Sequence, residues 1–256
     1  MARFVTQLVV VLFLFVLFLF YFQPTTWSQE HEVGDMKAML GMQMDDHGAA
    51  AESSKQIAKR IADKRESEFN HHLAGFLTLV AGVFILAPSR LAARWPGLHF
   101  VWPSCFLLVG LFLLLFSDTE MWPVGPQTPW FAITHNAEDL QHKTFSVILL
   151  VLGYIELQRA RGRFKSPWFA GIFPVLAVGG AILLLFHQHG AGMHELNHMA
   201  VMEHIQHQHR AFATIGAGIA VSKGLSDVNL ASRWFFSKLC QLLMIALGLA
   251  LMLYTE

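Results

Sequence analysis

Between Phe186 and Arg210 the chain reads FHQHGAGMHELNHMAVMEHIQHQHR, gathering His187, His189, His194, His198, His204, His207 and His209 with Met193, Met199 and Met202. Seven structural histidines in so short a run are hard to justify by packing, so the expectation is metal or proton handling. Further upstream, MKAMLGMQMDDH carries Met36, Met39, Met42 and Met44 ahead of His47 in a polar context. Exposed methionine has little packing value, whereas soft thioether sulfur prefers Cu(I) and imidazole binds both copper oxidation states. Met and His without paired Cys therefore point to copper more than zinc.

Spacing refines the ligand set. At about 100° per residue, His194, His198, Met202 and His209 project within roughly 80° of one another on a helix, with Met193, His204 and His207 on an adjoining face. His135 and His142 share a face if HNAEDLQH is helical, and His71 and His72 in NHHLAG sit where an apolar span begins. His31 and His99 read as structural or solvated. The string HELNH matches H-E-x-x-H, the zinc-protease pattern with Glu195 as base. The density of histidine around it and its short apolar flanks argue against that chemistry. Cys105 and Cys240 lie far apart in apolar segments, which suits two buried thiols and no disulfide framework.

The elements that must position these residues are membrane helices. Of the 256 residues, 54% are apolar and only 14% charged, with 22 Phe, too apolar for a soluble domain that must cover itself with polar groups. Lys plus Arg equal Asp plus Glu at 18 each, so net charge gives no reason to expect a nucleic-acid partner. Apolar stretches near 73–88, 98–116, 144–158, 168–187 and 234–254, with a more polar one over 195–222, predict an all-α polytopic membrane bundle of six core spans. To these is added the N-terminal hydrophobic segment.

The expected organisation is a signal peptide or anchor over 1–28, an extracytoplasmic Met-rich segment with an amphipathic helix over 29–70, and the six-span bundle over 71–256. Pro88, Pro96, Pro123, Pro126, Pro129 and Pro167 fall at or between spans. The tryptophans of MWPVGPQTPWF suit an aromatic belt at the membrane interface.

Basic residues orient the chain. Arg90 and Arg94, then Arg159, Arg161, Arg163 and Lys165, then Lys223, Arg233 and Lys238 are read as three connections on the cytoplasmic side. All the histidines except His99 then belong to the opposite face or the outer halves of the spans. The intervening loop from Ser117 to His142 has Asp118, Glu120, Glu138 and Asp139 and no Lys or Arg, a composition that favours cation entry.

The segments ADKRESEFNHHLAG, FSDTEMWPVGP and LQHKTFSVILLVLGYIELQRARGR, with the His-bearing loop before a Gly/Ala-rich helix, resemble the copper resistance protein D family of bacterial inner-membrane proteins. The resemblance runs from about Lys64 to the C-terminus. It implies a multi-helix protein associated with periplasmic copper handling, with His71 or His72, His142, His187, His189 and His198 as ligands. A periplasmic copper carrier or a cuproenzyme would be its partner. The additional His204, His207 and His209 and the Met-rich segment depart from the family pattern and would equally suit a reservoir or chaperone. The expectation is a membrane copper-binding protein that is not an enzyme. A b-type haem redox protein, pairing His72 with His142 or His142 with His198, is the alternative, and an accessory subunit of a membrane metalloenzyme is a third.

Overall fold

The computed structural model describes residues 46–86, 93–118, 121–186, 196–228 and 232–255. The hydrophobic segment 1–28, His31, Met36, Met39, Met42, Met44, His187, His189, Met193 and His194 lie outside the described residues. His47 and His198 are placed by their backbone alone.

The described residues form seven α-helices: α1 (Asp46–Leu86), α2 (Val101–Phe116), α3 (Pro129–His135), α4 (Ala137–Ala160), α5 (Pro167–Leu185), α6 (Leu196–Asp227) and α7 (Arg233–Met252), with a 3-10 turn over Pro96–Phe100 before α2. Among the described residues there is no named strand. Five segments are long and apolar enough to cross a membrane: Ile61–Leu86, Gly97–Phe116, Ala137–Ala160, Pro167–Leu185 and Arg233–Met252. The expected sixth, α6, is a helix of 32 residues that falls outside this group. Its first half carries the histidines, and its second half trades large apolar side chains for buried Ala213, Ala217, Ala220, Ser222 and Ser226. Such a helix suits an interior position better than lipid contact.

The sequence reading separates the chain at residue 70, but α1 runs unbroken through that point for 41 residues. The helices pack in the cyclic order α1, α2, α4, α5, α6, α7 and back to α1, each touching its two neighbours. A ring of six helices leaves a space at its centre, and the outward side chains Phe76, Leu108, Val147, Tyr154, Val175, Leu242 and Leu249 are exposed apolar groups. That pattern inverts the one water selects and fits a hydrocarbon surround.

Small residues set the closest crossings. A Cβ on Gly248 of α7 would overlap the Leu79 backbone of α1, and one on Gly110 or Gly153 would overlap the facing backbone in the α2/α4 pair. Helices in lipid lack a hydrophobic force between them, so close backbone approach supplies the contact energy.

At the end of the ring where α4 stops and α7 starts, Arg159 donates to Glu156 within α4 and reaches Asp227 of α6 at 2.8 Å. Lys223 pairs with Asp227 and lies 3.7 Å from Glu156. The network ties α4 to α6 across α5, whose Phe173 ring lies 5.6 Å from the Lys223 ammonium. Arg159 and Lys223, expected in connections, are thus inside helices; Arg161, Arg163 and Lys165 do follow α4, while Lys238 is within α7.

Candidate functional site: a cavity with a histidine-lined end

The opposite end of the ring is where α2 and α7 stop and α4 and α6 start. There Asn136, in an extended conformation, accepts from the Glu138 amide at 3.0 Å and starts α4. This cap separates His135 from His142, so they do not share one helix face as a continuous helix would require. His135 closes α3, stacked on Phe131 with ring centroids 4.3 Å apart and exposed. Two turns into the chain beyond the cap, His142 Nδ1 lies 2.8 Å from Asp118 Oδ1, and Lys143 Nζ lies 2.8 Å from Asp118 Oδ2. The Ser117 hydroxyl donates to Asp118 at 2.7 Å, and Lys143 also donates to the Leu113 and Leu114 carbonyls that end α2. Asn70 of α1 donates to the Ser117 carbonyl at 3.3 Å, drawing a third helix in.

Burial alone would push the Asp118 carboxyl up. The hydrogen bond and charge of His142, joined by Lys143 and Ser117, outweigh it and hold the group well below the ordinary carboxylate range. Asp118 is therefore a fixed anion at neutral pH.

Beside this cluster, α1 presents His71 and His72 in different directions. His71 Nδ1 donates to the Ser67 carbonyl at 2.8 Å, and the ring stacks on Tyr254 at 3.9 Å and lies 5.8 Å from the His209 ring of α6. His209 is buried, only 2% exposed. His72 is exposed and its Nε2 bonds the Tyr254 carbonyl at 3.0 Å. The C-terminal residues are also held by α6, through Gln208 Nε2 donating to the Thr255 carbonyl at 2.8 Å. His204 and His207 are exposed and Met202 is half-buried. The tertiary arrangement thus brings His71, His142 and His209 to one cavity and directs His72, His135, His204 and His207 elsewhere.

That cavity, about 250 Å³, is lined by all six helices of the ring. Its polar side chains, Ser67, Asn70, His71, Ser117, His142 and His209, belong to the end described above, apart from Thr78 and Cys105 deeper in. Its apolar walls continue to Leu152, Phe173, Ile219 and Met244. From His142 to Leu152, or from His209 to Ile219, is ten residues, so the cavity extends about 15 Å along the helices. The volume is spread thinly over that length, which makes it narrow.

Sequence reasoning named the three cavity histidines and read Asp118 only as one acid of a loop that favours cation entry; it missed the roles of Lys143, Asn70 and Ser117. A usable signal was present: a carboxylate just past one apolar span, in FSD, and a lysine at the entrance of the next, in QHK. Both are costly near hydrocarbon unless paired. Trp122 and Trp130 of the aromatic loop are exposed, while Met121 next to Trp122 in the chain is buried, consistent with an interfacial belt.

Among the described residues, no group of three or more His, Cys, Asp or Glu side chains is arranged to hold one metal ion. No protein-family model, no curated protein and no solved structure matches the chain, so the reading of this end rests on its own residues.

Proposed function

We propose that this chain is a six-span protein of a bacterial inner membrane that captures copper on the periplasmic side through histidine and methionine side chains, then transports it or delivers it to a partner. The sixth span would be α6, sheltered between α5 and α7. The observation that carries the reading is the concentration of imidazole at one end of the ring. His71, His72, His135, His142, His204, His207 and His209 are all there, and so are Phe186 and Leu196, the described residues on either side of the segment that bears His187, His189, Met193 and His194. Arg161, Arg163, Lys165 and Arg233 are at the other, which by the excess of basic residues in cytoplasmic loops supports a periplasmic histidine face. A copper carrier or cuproenzyme would meet the protein there, drawn by the same exchangeable His and Met ligands named in the sequence.

The alternative of a b-type haem draws on the same apolar interior, but the fit is poor. A cavity of about 250 Å³ drawn out over about 15 Å does not accommodate a porphyrin plane between His71, His142 and His209.

The test is elemental analysis of the purified protein in detergent for copper, zinc and iron, with a visible spectrum, repeated with His194, His198 and His204 changed to Ala. Copper near stoichiometry that falls severalfold in the variant is expected. Stoichiometric iron with a Soret band, or zinc alone, would overturn the copper reading.

A further inference from the structure

We propose that the cleft at the basic end of the ring, between the start of α2 and the connection from α4 to α5, binds the phosphodiester headgroup of an anionic phospholipid whose acyl chains lie along the outward face of α4. The proposal goes beyond copper handling and rests only on the chain being a membrane protein.

Charge is the first feature. Among the described residues the carboxylates at this end are Glu156 and Asp227, and Arg159 and Lys223 already engage both. The sequence RGRFK that follows α4 then adds Arg161, Arg163 and Lys165, all exposed and without an ion pair or side-chain hydrogen bond to any described residue. Three like charges within five residues repel one another, and an anion lying between them relieves that repulsion.

The second feature is that these cations are carried on a fixed turn. Gly162, at φ +71°, donates to the Arg159 carbonyl at 2.9 Å and Arg163 to the Gln158 carbonyl at 3.0 Å, the pair of bonds that closes a helix on a left-handed glycine. Phe164 then stacks on Phe169 of α5, with ring centroids 4.1 Å apart, and meets Tyr154 of α4 edge-on at 6.2 Å. A turn fixed in this way needs little further ordering when a ligand binds, in contrast to a basic tail.

The cleft itself is the third. Its volume is about 520 Å³, and its lining includes His99, Trp102, Glu156, Arg159, Phe164 and Lys165. That size falls within the about 300–1,000 Å³ usual for bound small molecules. Cations and amphipathic aromatic rings are the side chains that the headgroup region of a bilayer selects.

Depth and direction favour a lipid over a soluble anion. Trp95, Trp168 and Trp234, which lie ahead of α2 and in the first turns of α5 and α7, are exposed at this end of the ring. Tryptophan prefers the headgroup level, so the adjoining Arg163 and Lys165 lie at the height of the lipid phosphates. From there towards the middle of α4, Tyr154, Val151 and Val147 are exposed at helical spacing, an apolar stripe that receives an acyl chain. A soluble phosphate makes no use of that stripe.

The experiment uses the full chain purified in detergent and exchanged with an equimolar mixture of dioleoyl phosphatidylglycerol and dioleoyl phosphatidylcholine. The lipid that stays bound is counted by native mass spectrometry. Phosphatidylglycerol is expected to be retained about tenfold or more over phosphatidylcholine. Arg163→Gln combined with Lys165→Gln is expected to lower that preference about tenfold, since each cation near the phosphate contributes about fivefold at low salt. Arg233→Gln combined with Lys238→Gln removes the same charge from α7, across the ring, and is expected to change the preference less than about twofold. Inorganic phosphate in large excess is expected to leave the lipid in place. Should the loop variant fail to fold, as judged by its melting curve, the two lipids on the wild-type protein and on the α7 variant decide. Equal retention of the two lipids by the wild-type protein, a preference unaltered in the folded loop variant, equal losses in the loop and α7 variants, or displacement by inorganic phosphate would overturn the proposal.

Discussion

At one end of the ring Glu156, Arg159, Lys223 and Asp227 form a set of two acids and two bases, while at the other a single carboxylate, Asp118, is shared by Lys143 and the imidazole of His142. The first set is closed: each charge has its opposite within the set, and the contacts join α4 to α6 over the intervening α5. The second holds its histidine by one nitrogen and leaves the ring in the wall of a cavity. Charges near hydrocarbon are retained when they pair or when they serve a site, and here the two ends illustrate the two cases. A balanced network fastens helices, and the asymmetric one holds an imidazole at the cavity wall.

The comparison is broken most directly at the balanced end. Asp227→Ala leaves Arg159 and Lys223 with Glu156 alone, an uncompensated buried charge, and is expected to cost about 3–5 kcal/mol in reversible unfolding in detergent. Asp118→Asn keeps an acceptor for His142 and Lys143 and is expected to cost less, about 1–3 kcal/mol. If the Asp118 variant proved the less stable of the two, the outer cluster would be the fastening and the distinction drawn above would fail.

The smallest effect sharpens the same contrast by pH. The folded Asp118 carboxyl titrates below its unfolded value of about 3.9, so its stabilisation is present above that value and is lost as the pH falls through the folded one. The stability gap between wild type and Asp118→Asn should narrow as the pH falls below about 4. A gap unchanged down to about pH 2 would mean that the Asp118 charge contributes nothing to the cluster.

Much of the helix layout was legible because membrane spans are local: length and hydropathy within about 20 residues suffice, and five of the expected spans correspond to helices apolar enough to cross. The sixth could not be settled that way, since α6 draws its apolar environment from α5 and α7 and needs little hydropathy of its own. At residue 70, charged Lys64 to Glu68 and apolar Phe76 to Ile85 continue one helix, a continuity that the change of composition there did not reveal. The Asn136 cap shows the reverse limit. A side chain able to accept from the amide two residues on ends the helical register between His135 and His142, and periodicity alone passes over it.

For the site, residue types and their concentration were readable from the chain: an imidazole- and thioether-rich region with apolar spans around it. Which histidines meet was decided only in three dimensions. His71, His142 and His209 are separated by 71 and 67 residues, and Asp118 reaches His142 across 24. Cyclic packing of six helices brings them to one end of a central cavity, and the helix phase at each decides whether a ring faces inward, as at His209, or outward, as at His204 and His207. Hydropathy and composition are sums over neighbours in sequence, whereas closure of a ring and the phase of each helix within it depend on every other helix at once.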